Sequence, residues 1–237
     1  NNSPDVNTTF MTLEETSPKH HHHLPLNEFQ QQIAGLDGRV LIKVHDLPSA
    51  TYWQNEAEQQ YAYQVMNESP TVYVHRDGRD VMVSLYYYVK SFREDYAKIS
   101  FSEFIRMDHE LDGEPTMSRP AFWQHHAQVW MAKENLCAIS YQSLEIDYEN
   151  TLHHLANFLH VRLNPMIQPI TLKGKSKPPS FLQKVKRKIA GQTTVKKSAV
   201  TPRKGKSGDW RSHFTDEDLK FFMKNAGETM RELGYVE

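Results

Sequence analysis

The chain has 237 residues, of which 38% are hydrophobic and 24% charged, and this length suits one sizeable α/β core rather than two domains. No apolar run is long enough to span a bilayer and no secretory signal is visible, so we expect no membrane span. Cys137 is the only cysteine, which excludes an intrachain disulfide and a cysteine-based zinc site, and we expect a reducing, cytoplasmic setting.

The net charge of −1 hides a strong asymmetry along the chain. Residues 173–208 hold twelve Lys or Arg and no acid, so the remainder holds 16 basic and 29 acidic residues. Such a segment favours an anionic partner, which could be a nucleotide, a nucleic acid or a membrane surface, although a solvated basic loop has the same composition. We interpret residues 173–208 as a basic lid or loop within a single domain.

Predicted strands and helices alternate along the chain after a polar segment, residues 1–36, that has no clear element beyond a short helix. Buried strands are predicted over 39–44, 71–75 and 136–141. Helices are predicted over 52–67, 80–92, 120–133, 151–160 and from Thr215 to Gly234. This alternation predicts a three-layer α/β fold with a largely parallel central sheet flanked by helices.

Ligands of parallel sheets bind at the carboxyl ends of the strands, where the loops begin. The predicted strands therefore place three groups of polar side chains along one edge of the molecule. These are Lys43 with His45, residues 75–77, and Tyr141. We expect the functional site at this edge.

The loop from Arg203 to Trp210 has the composition of a phosphate-binding loop. Three cations and two glycines lie within six residues, directly before a tryptophan. Glycine lets backbone N–H groups turn toward an anion, and Arg and Lys supply the opposite charge.

Arg76 and Ser84 form a second candidate half-site. Arg76 leaves a strand end, and Ser84 lies one to two turns into the next helix, so a guanidinium fork and a hydroxyl can converge on one phosphate. The alternative is structural, with Arg76 paired to Asp80 and Ser84 filling a helix–sheet contact.

Together these segments resemble a known family. Residues 76–84 are similar to the R-[ND]-x-[RK]-D-x-x-x-S motif of the cytosolic-type sulfotransferases, which use 3′-phosphoadenosine 5′-phosphosulfate (PAPS). The loop at 203–210, about 120 residues later, resembles their R-K-G-x-x-G-D-W signature. The resemblance implies a P-loop nucleotide-kinase-like fold. It also implies that the 3′-phosphate of PAPS, or of its product PAP, is bound by Arg76, Ser84, Arg203, Lys204 and Gly205.

Residues 41–48 resemble the I-K-T-H-L-P strand end of the same family. The resemblance implies that His45 is the general base on an acceptor hydroxyl or amine and that Lys43 steadies the transferring sulfuryl group, with no metal. A histidine near its ordinary pKa can take a proton at neutral pH, and a lysine two residues earlier on a strand shares its face. In isolation, the same pair would be interpreted as solvated strand-end side chains.

Aromatic side chains add weaker indications. Residues 140–144 and the segment after Ser180 resemble family segments that would put Tyr141 and Phe181 near the adenine, although both rings could be core residues. Aromatics that could line a pocket for a phenol or an apolar alcohol, or pack in the core, are Tyr86, Tyr87, Tyr88, Phe92, Phe101, Phe104, Phe122 and Trp123.

The sequence also departs from the family pattern. The phosphosulfate loop, of the Y-P-K-S-G-T-T-W kind, is absent and would fall upstream of Asn1. We therefore interpret residues 1–237 as one domain lacking its first strand and that loop. The C-terminal dimer motif is not preserved, which leaves the oligomeric state open. The alternative function is a truncated or degenerate non-catalytic module that binds PAP, another nucleotide or another polyanion.

Three other motifs are set aside. Residues 75–77 read His-Arg-Asp, but Met82 occupies the position of the asparagine that a kinase catalytic loop requires. Four consecutive histidines, His20–His23, cannot all point at one metal ion from a fixed element. Few aromatics interleave the basic segment, so we expect no nucleic-acid partner.

Overall fold

The computed structural model of the chain describes residues 8–12, 26–35, 39–45, 47, 56–109, 116–163 and 207–236. The described strands are β1 (Thr8–Thr12), β2 (Arg39–Lys43), β3 (Thr71–His75) and β4 (Leu136–Ser140). The helices are α1 (Leu26–Ala34), α2 (Glu56–Glu68), α3 (Gly78–Lys90), α4 (Phe101–Arg106), α5 (Arg119–Met131), α6 (Tyr141–Ile146), α7 (Tyr148–Phe158) and α8 (Asp216–Glu232). Two short 3₁₀ helices span Glu94–Tyr96 and Asp209–Ser212.

The described strands pair in parallel. β1 pairs with β2, and Thr12 lies opposite Lys43. β3 pairs with β4, and His75 lies opposite Ser140. Parallel pairs need long crossover connections, and helices supply these in both cases. The architecture agrees with the predicted α/β class and places Arg76 and Tyr141 directly after two paired strand ends.

Strand β2 alternates between an inner and an outer face. Val40, Ile42 and Val44 pack against a core cluster built from Phe29, Ala62, Met66 and Trp130. Leu41, Lys43 and His45 are exposed on the other face. Because side chains of a strand alternate with a period of two, the burial of the aliphatic residues turns the lysine and the histidine outward together.

A second core lies between α3, α4 and α8, with Trp123 of α5 packed against it. Its buried members are Met82, Tyr86, Tyr96, Phe104, Ile105, Phe222, Ala226 and Met230. Gly78, at the start of α3, makes the closest approach to it, because a Cβ there would lie 2.8 Å from both Phe222 and Trp123. The glycine therefore lets the first turn of α3 sit directly on α5 and α8.

The observed elements follow the predicted ones within a few residues, with local capping setting the differences. Helix α3 begins at Gly78 rather than at the predicted residue 80, because the Asp77 carboxylate accepts the Arg79 N–H at 2.9 Å. Thr215 caps α8 with a capping box, as predicted, and Gly234 follows it with a φ of 72°. The sequence did not predict β1, α4 or α6; the two helices are capped by serines.

Candidate functional site

The turn between β3 and α3 is built from buried, paired charges. Arg79 donates from Nε to Oδ1 of Asp77 at 3.0 Å and from Nη2 to Oδ2 at 2.7 Å. Asp77 and Arg79 are only 6% and 7% exposed. Because a buried charge needs its partners fixed in place, this pair holds the turn that carries Arg76 in one conformation.

The C-terminal segment closes on the same turn. The Tyr235 carbonyl accepts a hydrogen bond from Nη2 of Arg79 at 3.2 Å. The hydroxyl of the same tyrosine lies 2.7 Å from Nδ1 of His75. Burial raises the pKa of Tyr235 and lowers the pKa of His75, which keeps both groups neutral. No sequence pattern predicts this contact, because the two residues are 160 positions apart.

Arg76 and Ser84 line one open surface pocket with a volume of about 340 Å³, together with Val81, Leu85 and Tyr88. The guanidinium of Arg76 lies 4.9 Å above the centre of the Tyr141 ring. It also lies 3.7 Å from the Asp80 carboxylate, so the ion pair considered as an alternative is present. The hydroxyl side of Ser84 is exposed rather than packed in a helix–sheet contact. A guanidinium, a hydroxyl and an apolar wall can together hold a phosphorylated ligand.

The end of the predicted phosphate-binding loop meets the same helix. The Asp80 carboxylate accepts the Gly208 N–H on Oδ2 at 2.7 Å and the Trp210 N–H on Oδ1 at 3.0 Å. The Arg79 guanidinium stacks 3.9 Å from the centre of the Trp210 ring. Asp80 is 2% exposed, so these bonds are shielded from water. We call Arg76, Asp77, Arg79, Asp80 and residues 207–210 the α3 cradle.

Asp80 has more partners in the structure than its sequence position predicts. A carboxylate four residues after Arg76 predicts only an ion pair. In the structure it joins two segments that are 128 residues apart. A further bond, from the Ser207 hydroxyl to Glu145 at 2.6 Å, ties the same loop end to α6.

Several predicted site residues lie outside the residues that the structure describes. These are Phe181, Arg203, Lys204 and Gly205, together with His20–His23. Their proposed roles stay predictions. Of the predicted cofactor-binding residues, the structure brings Arg76 together with Ser84, in one pocket, and with Tyr141, whose ring lies under the guanidinium.

Lys43 and His45 lie at the end of β2, both exposed and on one face, as the strand period predicts. The backbone of His45 is held by α5, because Nε2 of His126 lies 3.0 Å from the His45 carbonyl oxygen. The sequence analysis did not single out His126, which belongs to no motif.

Of the aromatics that could line a pocket or pack in the core, two take the core alternative. Tyr86 and Phe104 are buried in the second core. The Tyr86 hydroxyl donates to the Ile99 carbonyl at 2.9 Å, so even its polar tip is satisfied inside. Tyr88 lines the pocket of Arg76 instead. The inner face of α3 thus took aromatics that the sequence pattern alone could not assign to core or pocket.

Two further observations bound the chemistry of the described ranges. Among the residues whose positions are described, no group of three His, Cys, Asp or Glu side chains is arranged to hold a metal ion. None of the helices listed above combines the length and apolar character that crossing a bilayer requires.

Comparison with known proteins identifies related sequences. The human protein sulfotransferase 2A1 is 27% identical over 175 residues, which cover 70% of this chain and 58% of the human protein. A 3-alpha-hydroxysteroid sulfotransferase of Cavia porcellus is 26% identical over 173 residues, which cover 69% of this chain and 57% of the relative. The chain thus spans little more than half the length of these relatives.

Structure and family comparisons agree with the sequence matches. The crystal structure of mouse sulfotransferase SULT7A1, complexed with PAP, superposes with a TM-score of 0.54 at 16% identity and covers 95% of this chain and 85% of the mouse chain. This confirms the predicted P-loop-like sulfotransferase fold. The family model of the sulfotransferase domain matches residues 61–234, well over half of the sequence. The chain therefore belongs to the sulfotransferase family.

Proposed function

We propose that the protein transfers a sulfuryl group from PAPS to a hydroxyl or amine acceptor. The observation that carries the proposal is the α3 cradle beside the pocket of Arg76 and Ser84. The motif at 76–84 and the loop at 203–210 meet there, because the Asp80 carboxylate of the first accepts the backbone N–H groups of Gly208 and Trp210 of the second. A ligand held by both motifs at once would need a compact, multiply charged anion, which a 3′-phosphate is.

The cradle suits the 3′-phosphate end of the nucleotide. Arg76 offers a guanidinium fork, Ser84 a hydroxyl and the first turn of α3 its positive dipole end. Arg203, Lys204 and Gly205 would add further donors to the same phosphate. Tyr141, with its ring under Arg76, would contact the adenine, as Phe181 would from the segment before it. The mouse relative solved with PAP supports this choice of ligand.

The strand-end pair, Lys43 and His45, would act at the other end of the nucleotide. When bound, PAPS supplies a sulfuryl group whose transfer forms a bond from the acceptor oxygen to sulfur and breaks the bond from sulfur to the bridging phosphate oxygen. His45 would take the proton that the acceptor oxygen loses. Lys43, on the same face, would offset the charge that builds on the bridging oxygen. Positioning and cations do most of the work in such transfers.

We further propose that the acceptor is a small apolar alcohol or phenol. The name of the Cavia porcellus relative points to hydroxysteroids as acceptors in this family. The outer face of β2 places exposed Leu41 beside Lys43, which gives an apolar molecule a surface next to the proposed base. A cytoplasmic setting, expected from the single cysteine, stays a prediction.

The proposal is tested with labelled PAPS and a panel of hydroxysteroids and phenols, using the full-length protein and its His45→Ala variant. We expect the variant to lose turnover by at least about a hundredfold, the usual contribution of a general base. PAP affinity should stay within about twofold, because His45 lies outside the α3 cradle. Near-normal turnover in the variant would remove His45 from the mechanism.

A second candidate is a non-catalytic module that binds PAP or another polyanion. It is favoured by one observation, namely that buried and paired charges concentrate at the phosphate end whereas Lys43 and His45 are exposed. Tight PAP binding by the full-length protein, without turnover of any acceptor, would support this module. Displacement of bound PAP by duplex DNA or RNA, to an extent that depends on the salt concentration, would instead support nucleic-acid binding.

A further inference from the structure

His126 lies on α5 between the end of β2 and the middle of β3. Its Nε2 atom is 3.0 Å from the His45 carbonyl oxygen, and its Nδ1 atom is 3.2 Å from the Tyr73 hydroxyl. A carbonyl oxygen only accepts hydrogen bonds, so Nε2 carries the hydrogen. In a neutral ring Nδ1 then has the lone pair, and it accepts the hydrogen of the Tyr73 hydroxyl. The two partners thus fix the tautomer.

The environment keeps this arrangement intact at neutral pH. The pKa of His126 is lowered to about 4, mainly by burial; the bond to the His45 carbonyl opposes this shift, and the nearby His45 and His125 add to it. Burial raises the pKa of Tyr73 to about 12, so its hydroxyl keeps the proton that it donates. Both nitrogens of His126 are engaged, and the lone pair on Nδ1 is therefore already used and does not take a proton from an acceptor.

Aromatic packing fixes the ring as well. The His126 ring lies 5.9 Å from Tyr73 and 6.3 Å from Trp130, measured between centroids. Tyr73 in turn stacks on Trp130 at 6.4 Å with an angle of 15° between the rings. Trp130 is a member of the core cluster beneath β2. The histidine is thus anchored to the core rather than to solvent.

The link matters because β2 and β3 belong to different strand pairs. Among the described strands, β2 pairs with β1 and β3 pairs with β4, so ladder hydrogen bonds do not set the distance from the end of β2 to the end of β3. Tyr73 lies three residues before Arg76 on the same β3 segment. The chain of bonds from Tyr73 through His126 to the His45 carbonyl therefore connects the strand that leads to the cradle with the backbone of the proposed base.

We infer that His126 is a positioning residue, which holds the His45 backbone through Nε2–H while Tyr73 holds its ring. The inference rests on the proposed function, since the position of His45 affects turnover only if His45 is the base. It assigns His126 no contact with the nucleotide or the acceptor.

The test compares kcat and PAP affinity in the full-length protein for three variants of α5. His126→Phe keeps a ring but removes the donor, and we expect kcat to fall about tenfold, below the roughly hundredfold that a 1 Å displacement can cost. His126→Gln keeps an N–H that can reach the carbonyl and should stay within about threefold of the wild type. His125→Phe, next along the same helix, is the matched control and should leave kcat unchanged. PAP affinity should stay within about twofold in all three.

Three results would overturn the inference. The first is an unchanged kcat in His126→Phe, and the second is a kcat that falls equally in His126→Phe and His126→Gln. The third is a fall in PAP affinity that parallels the fall in kcat, which would indicate general damage to the fold. A pH–rate profile adds a separate readout, because the inflection assigned to His45 should persist in His126→Gln; its disappearance would make His126 the base.

Nitrogen-15 NMR of the histidine rings separates this inference from the proposed function. We expect His126 in the Nε2–H tautomer, without protonation at pH 6, whether or not the protein turns over PAPS. Absence of PAPS-dependent turnover in the wild-type protein, with any acceptor, would overturn the proposed function and leave the expected tautomer of His126 unchanged. The Nδ1–H tautomer or a protonated ring at His126 would sink the positioning role alone.

Discussion

The α3 cradle and the strand-end pair are held in opposite ways. In the cradle, Asp77, Arg79 and Asp80 are at most 7% exposed, and each is paired with a charge or with backbone N–H groups. Lys43 and His45 are exposed, and His126 contacts the backbone carbonyl of the histidine. One region is organised before any ligand arrives, and the other presents side chains to solvent.

The difference teaches where each kind of work can be done. Charges that grip an anion gain from being fixed and shielded, because water competes less and no reorganisation is needed on binding. A proton acceptor for a changing set of small molecules needs access instead. Binding and turnover should therefore be separable by mutation, with cradle changes acting on PAP affinity and strand-end changes acting on kcat.

The largest effect on binding is expected from Arg76→Ala. The change removes the guanidinium that lines the pocket and lies over Tyr141, and charge-assisted hydrogen bonds contribute about 1.5–3 kcal/mol each. We expect PAP affinity, measured by isothermal titration calorimetry, to fall more than about tenfold. Arg93→Ala is the control, since Arg93 pairs with Asp95 at the surface. Titration curves that match the wild type would end the phosphate assignment of the cradle.

A smaller but more diagnostic effect is expected from Asp80→Asn. The amide has nearly the same size as the carboxylate, but its NH₂ group would face the N–H of Gly208 or Trp210, so one bond is lost. We expect PAP affinity to fall about three- to tenfold and the two amides to exchange faster with deuterium. If Asp80 acts only as a negative charge near a phosphate, the same variant should bind PAP more tightly. Asp95→Asn, at an exposed site, controls for charge.

The sequence predicts the cradle better than the strand-end region, for a physical reason. Arg76 and Ser84 are joined by one strand end, one turn and two turns of helix, so local geometry already brings them to one pocket. Thr215 and Gly234 lie at opposite ends of α8, and each acts on the helix turn beside it. Their roles can be predicted for the same reason. Patterns of this range determine their own geometry.

Contacts between distant segments have no such pattern. The bonds from Gly208 and Trp210 to Asp80 cross 128 and 130 residues, and the His126 bond to His45 crosses 81. A histidine on a helix carries no sign of the carbonyl that it will meet. The sequence leaves Tyr86 and Phe104 open between pocket and core for a related reason, because helical periodicity identifies a face but not what the face packs against.

The pH dependence of folding stability tests whether His126, which contacts the backbone of the exposed His45, is buried and neutral. The pKa of His126 is lowered to about 4 in the folded protein from 6.5, so protons favour the unfolded state. The stability that His126 contributes is complete above pH 6.5 and is lost as the pH falls toward 4, by up to about 2 kcal/mol at pH 5 at 1.36 kcal/mol per pH unit. Half-buried His75 acts in the same direction.

Urea unfolding at pH 7 and pH 5 measures this loss. In His126→Gln the free energy of unfolding should fall by less between the two pH values, because glutamine takes no proton. Tyr73→Phe keeps the histidine and should keep most of the pH dependence. If the free energy of unfolding fell by the same amount between pH 7 and pH 5 in the wild type and in His126→Gln, His126 would titrate as a solvated side chain. The contact from His126 to the His45 backbone would then be open to solvent, in contrast to the buried bonds of the α3 cradle.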